Sequence, residues 1–148
     1  MKWSANAPQY GDVVRVKVKF YYHYGIFVDE QCVVQFGMPD NTGIAPEEIK
    51  VITTDIDTFR NGSAVEKAEF SISERVRKHS NEKAVKIALS RVGEDGYNIL
   101  HNNCEHFVNE CIFGESKSGF VDSVRAEIRN KIKKKYPRDY KQIKNMPL

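Results

Sequence analysis

Val14, Val16 and Val18 alternate with Arg15, Lys17 and Lys19, which is the period of a strand with one buried and one wet face. Gly11-Asp12 supplies the turn that opens it. Residues 20–28 continue aromatic and β-branched, Asp29, Glu30 and Gln31 interrupt, and 32–36 resumes. This predicts a second and third strand joined as a hairpin. A turn-rich loop follows (Gly37, Pro39, Asp40, Asn41, Gly43, Pro46), then a fourth strand over 49–54. Asn61-Gly62 marks another turn, and 65–70 predicts a short fifth strand.

Helical spacing takes over from Ser71. Ser71 with Glu74 three residues on fits a capping box, Ser80 with Lys83 does not, and the stretch reads as two short helices. From Asn81 the pattern sharpens: Val85, Leu89 and Val92 recur at i, i+4 and i+7 beside Ala84 and Ala88, with Gly93 as a stop. A short apolar segment, Tyr97-Asn98-Ile99-Leu100, precedes Asn102-Asn103. Phe107, Val108, Cys111 and Ile112 then form another apolar helix face ending at Gly114. Val121, Val124, Ile128, Ile132 and Tyr136 predict a last helix, stopped by Pro137.

A length of 148 residues with 41% hydrophobic and 29% charged residues suits one packed domain. No run approaches the ~20 apolar residues of a membrane-spanning helix, and residues 1–6 carry no apolar signal segment. Three cysteines, an odd number without framework spacing, suit a reducing compartment. These features predict a cytoplasmic protein, and the short, plain chain suggests a bacterial one. Charge is uneven: residues 121–148 carry nine Lys/Arg and three Asp/Glu, a net of +6 out of the total +3, so the first 120 residues carry −3. A mildly acidic body with a basic end differs from a uniformly basic nucleic-acid binder.

The chemistry centres on Cys104. Asn102-Asn103-Cys104 sets it at a helix start, where free N–H groups and the helix dipole predict a lowered thiol pKa. The alternative is a buried structural cysteine. A thiol nucleophile needs a base, and four histidines are present. His79 lies among Arg75, Arg77, Lys78 and Lys83 and is expected to be solvated. His101 and His106 are close in sequence to Cys104, but His106 is turned about 200° away along the helix. His23 is a polar residue inside an otherwise apolar strand, a local mismatch of the kind functional sites show. Gln35, on the opposite limb of the hairpin, can orient its imidazole. The pair shares a face only if the connecting loop is odd in length or a bulge intervenes. A metal site of His101, Cys104 and His106 lacks a second ligand pair at zinc spacing, so no metal or cofactor is expected.

These residues resemble a known family. Asn103-Cys104-Glu105-His106-Phe107-Val108-Asn109 resembles the signature of the lecithin retinol acyltransferase-like (H-rev107, NC-domain) family, within the NlpC/P60 superfamily of permuted papain-like thiol enzymes. Tyr97-Asn98-Ile99-Leu100 resembles its Tyr-Asn-Leu-Leu lead-in. Gly11-Asp12 resembles the opening of its first strand, and His23-Tyr24-Gly25-Ile26-Phe27-Val28 its His-Trp-(Gly/Ala)-Ile-Tyr-Val block. Phe59, Gly62 and Val65 echo its middle region. The resemblance covers residues 8–115. It implies an α+β, circularly permuted papain-like fold, with an antiparallel sheet carrying the histidine and a helix presenting the cysteine. Residues 1–120 would form the catalytic domain and 121–148 a basic amphipathic helix and tail.

The resemblance further implies that Cys104 attacks an ester carbonyl, usually of a phospholipid, to give an acyl-thioester, with His23 as base and acid and Gln35 as orienter. The Cys104 N–H would serve as oxyanion donor, and Tyr21 and Asn103 would line the site. Animal members carry a second His where this chain has Gln35, although the superfamily accepts His, Asn or Gln there. Many also end in an apolar membrane anchor, whereas 121–148 is basic. Three readings follow: a thiol acyltransferase or acyl hydrolase, with 121–148 either touching anionic membrane or packing its apolar stripe on the domain with the lysines solvated; an intracellular cysteine amidase or peptidase; or a catalytically silent binding module. Tyr136 and Tyr140 are the tail's only aromatics, which argues against nucleic acid as partner.

Overall fold

The computed structural model describes residues 1–19, 21–37, 49–96, 103–114 and 119–135. The segment 97–100, His101, most of the 37–48 loop, and the tail beyond 135 with Tyr136, Pro137 and Tyr140 lie outside these residues. The order is β1 (Lys2–Ser4), β2 (Val13–Val18), β3 (Tyr21–Asp29), β4 (Cys32–Phe36), β5 (Val51–Thr54), α1 (Ile56–Arg60), β6 (Glu66–Glu69), α2 (Ile72–Arg77), α3 (Asn81–Ser90), α4 (Cys104–Phe113) and α5 (Gly119–Lys135). The strands form one antiparallel sheet in the order β1-β6-β2-β3-β4-β5. The α+β class is as expected. β1 and α1 are additions, too short for a periodic pattern to reveal.

Two apolar clusters cover the two sheet faces. On one side Val13, Ile26, Val34 and Phe36 meet Ala84, Val85 and Ala88 of α3 and Phe107, Val108, Cys111 and Ile112 of α4. On the other, Val14, Val16, Phe27 and Val33 close over Phe59 of α1. The α3 stripe is narrower than its spacing predicted: Leu89 and Val92 are exposed, because the small residues Ala84 and Ala88 take the contact face. Asp55 caps α1 through the Thr58 N–H at 2.7 Å, and Ser71 with Glu74 forms the expected capping box of α2. Ser80 accepts from the Lys83 N–H and caps α3 without a reciprocal partner.

The β3–β4 hairpin sets the register of the site. A two-residue turn, Glu30-Gln31, separates the paired Asp29 and Cys32, and the register shifts by one between Asp29 and Phe27. That bulge supplies the odd residue that face-sharing required. With Phe27 opposite Val33 and Ile26 opposite Val34, the continued register sets Gln35 across from Gly25, two residues from His23 on the same face. Gly25 has a packing reason. A Cβ there would lie 2.8 Å from Val33 Cγ1 and 3.0 Å from Phe59 Cε2, so the α1 ring can approach the strand only over a glycine.

The chain divides into two compact units, Met1–Lys117 and Ser118–Leu148. The second contains α5, whose last turn is Lys133, Lys134 and Lys135, with Ile128 exposed and Lys131 paired to Glu127 at 3.4 Å. No helix among the described residues is long and apolar enough to cross a membrane.

Candidate active site

His23, 4% exposed, sits mid-β3 opposite Val16, with its ring 5.4 Å from that of Phe59. Its Nε2 hydrogen-bonds Gln35 Oε1, so the sequence pairing of these residues is met in space. Gln35 in turn donates from Nε2 to Thr54 Oγ1 at 2.7 Å. With the carboxamide so turned, its oxygen faces the ring, and the imidazole nitrogen beside it must carry the proton. The other nitrogen, Nδ1, is buried without a hydrogen-bond partner. A proton on Nδ1 would be an orphaned donor, costing about 1–3 kcal/mol. The neutral ring is therefore an Nε2–H tautomer with a bare lone pair on Nδ1, which is the form a general base needs.

Cys104 is the first residue of α4, as the asparagine pair predicted. Asn103 Oδ1 accepts from the N–H groups of Glu105 (2.9 Å) and His106 (3.0 Å), and His106 Nδ1 accepts from the Asn103 N–H at 3.1 Å. This reciprocal cap fixes the helix start and absorbs His106, which serves the backbone rather than the sulfur. The oxygen of Asn103, expected to line the site, is likewise occupied as a cap. The thiol belongs to the helix-side core, whereas His23 faces the Phe59 side and its Nδ1 makes no hydrogen bond to the sulfur; the backbone N–H of Tyr24, the residue after His23, acts on the thiol to lower its pKa. The β3–β4 ladder runs only as far as the Ile26–Val34 pair, so Tyr24 lies just past its end. Tyr21, the other predicted lining residue, has its phenol pKa raised by burial and then by the charge of Cys104.

The thiol pKa departs from the sequence expectation. Burial pushes Cys104 up to about 11, and the Glu105 carboxylate adds to this. The N–H groups of Tyr24, Cys104 and Glu105 oppose the rise without overcoming it. A helix terminus favours a thiolate by about 1 kcal/mol, whereas removing a charge from water costs several, so burial wins. His23 moves the other way. Burial lowers it to about 4, against the raising effect of its bond to Gln35. The resting pair is thus neutral thiol and neutral imidazole. His79 is also corrected: its Nδ1 lies 3.1 Å from the Cys111 carbonyl and its N–H donates to the Ile112 carbonyl, so it closes the end of α4 rather than standing in solvent. Among the described residues no His, Cys, Asp and Glu cluster could hold a metal.

Sequence reasoning missed two contributors. Thr54 ends a predicted strand and carries no signal of its own, and Tyr24 contributes through its backbone, which no side-chain pattern records. The lecithin retinol acyltransferase family profile matches residues 6–117. The chain belongs to the lecithin retinol acyltransferase family. It is 28% identical to mouse lecithin retinol acyltransferase over 145 residues and 30% identical to the rat protein over 147, each alignment covering 81% of this chain and 62% of the relative. It is 27% identical to human phospholipase A and acyltransferase 3 over 126 residues, covering 79% of this chain and 78% of that one. The chain thus spans about three-fifths of the retinol acyltransferases it matches. These members of the family are mammalian and lend no support to a bacterial origin.

Proposed function

We propose that the chain is a cysteine-dependent acyltransferase or acyl hydrolase, with Cys104 as nucleophile, His23 as base and acid, and Gln35 as the orienter of the imidazole. The observation that carries this reading is the bare, buried Nδ1 of His23, held in its base form by Gln35 and one residue before Tyr24, whose backbone N–H acts on the Cys104 thiol. As Sγ attacks an ester carbonyl carbon, Nδ1 takes the thiol proton. The C–O bond then breaks, the proton passes to the leaving oxygen, and an acyl-thioester stays on Cys104. Water or an acceptor alcohol or amine, deprotonated by Nδ1, takes the acyl group and restores the thiol. The N–H of Cys104 at the helix start is the oxyanion donor of this scheme, and Tyr21 borders the acyl site. The neutral resting pair means that proton transfer accompanies attack instead of preceding it.

The names of the relatives, acyltransferases and a phospholipase A, favour a lipid ester as substrate over an amide. A permuted papain-like order is the fold reading consistent with histidine before cysteine in the chain. The three free thiols fit a reducing, cytoplasmic setting. Hydrolysis of a short-chain phosphatidylcholine is the direct test, with a peptide anilide as the amide control. Release of fatty acid by the wild type and its loss in Cys104→Ser support the ester reading. Turnover of the anilide alone replaces it with an amidase, and turnover of neither leaves a binding module.

A further inference from the structure

His23, Gln35 and Thr54 form a diagonal row over three adjacent strands. Thr54 pairs with Val33, so it is offset by two from Gln35, as His23 is on the other side. All three side chains share the face that packs on Phe59. Diagonal neighbours of this kind are within reach of long side chains. Gln35 is 4% exposed, and its carboxamide has two polar ends to satisfy: Oε1 on the imidazole and Nε2 on the Thr54 hydroxyl.

We propose that Thr54 is a positioning residue for the base: by accepting the Gln35 N–H, it keeps the Gln35 oxygen turned to His23 and so keeps the imidazole proton on Nε2. This rests on the assignment of His23 as the base. A carboxamide is nearly symmetric in shape, so packing alone does not choose which end faces the ring. A flipped amide would present N–H to the imidazole, force the ring proton onto Nδ1 and remove the lone pair that accepts the thiol proton. A carboxylate at position 35 would meet the ring without such a choice. A glutamine has to be held, and the hydroxyl of a half-buried strand-end threonine, with solvent available for its own proton, does so.

The test uses the full chain labelled with nitrogen-15 histidine at pH 7, reading the His23 tautomer by long-range proton–nitrogen NMR, alongside ester turnover. Thr54→Val keeps the shape and β-propensity and deletes the acceptor. Thr54→Ser keeps the acceptor and deletes the methyl. The expected result is a single Nε2–H tautomer in the wild type and Thr54→Ser, and a mixture in Thr54→Val. Turnover falls about tenfold or more in Thr54→Val, part of the 10²–10⁴ that a general base contributes. A single Nε2–H tautomer in Thr54→Val overturns the proposal, as does a Thr54→Ser chain that behaves like Thr54→Val. Mixed tautomers with unchanged ester turnover overturn the assignment of His23 as the base, and absence of ester turnover in the wild type overturns the acyl-transfer reading.

Discussion

The two side chains proposed to react, Cys104 and His23, are both held away from their charged forms by burial. For His23 the linkage has a definite sign. Its pKa is lowered to about 4 from 6.5, so the fold favours the neutral ring. The stability this represents is complete above pH 6.5 and is lost as pH falls towards 4, amounting to about 3 kcal/mol at most. Urea unfolding at pH 7 and pH 4.5 is expected to show this loss in the wild type and a shallower one in His23→Phe, and equal slopes contradict it. Cys104 runs in the opposite direction: raised to about 11, its thiol is favoured by the fold below pH 9 and opposes stability above it. The sequence singled out both residues as candidates, His23 by its mismatch with an apolar strand and Cys104 by the asparagines before it. It did not disclose their protonation, because that depends on how much water each loses, a property of packing.

At the scale of elements, the site depends on a helix start and a hairpin. Asn103 holds the first turn of α4 through two N–H groups, and His106 completes the cap. Asn103→Ala is expected to lower stability by about 1 kcal/mol, the usual worth of an N-cap, with thermal unfolding as the measurement. Asn103→Asp retains the cap and is expected to remain near wild-type stability. A loss as large as that of alanine means the carboxamide has a second role. In the hairpin, alternation fixed the strands over 13–18, 21–29 and 32–36 closely. Parity alone left the meeting of His23 and Gln35 open, since a two-residue turn without the Phe27–Asp29 bulge would have put them on opposite faces. A bulge leaves no compositional mark in Val28-Asp29-Glu30, and Thr54 could be found only once three strands were side by side.

For the whole molecule, charge asymmetry is the feature most plainly written in the sequence. The unit of residues 118–148 carries a net charge of +6 against −3 for the residues before it, and α5 ends on three consecutive lysines. We propose that this unit meets anionic membrane surfaces, each lysine near the surface contributing about 1 kcal/mol. Flotation of the full chain with phosphatidylserine vesicles is expected to be strong at low salt and lost at high salt. Replacing Lys131, Lys133, Lys134 and Lys135 with glutamate should abolish it. Salt-insensitive flotation that survives the replacement contradicts the electrostatic account.

In the proposed reaction Cys104 carries the acyl group and His23 makes it nucleophilic. Brief incubation with a short-chain phospholipid, acid quenching and peptide mass spectrometry test this most directly. An acyl adduct is expected on the peptide containing Cys104, removed by neutral hydroxylamine as a thioester is, and absent from Cys104→Ser and His23→Ala. Cys32 and Cys111, with thiols also raised by burial, should stay unmodified. An adduct that forms equally well in His23→Ala, or that maps to Cys32 or Cys111, contradicts it.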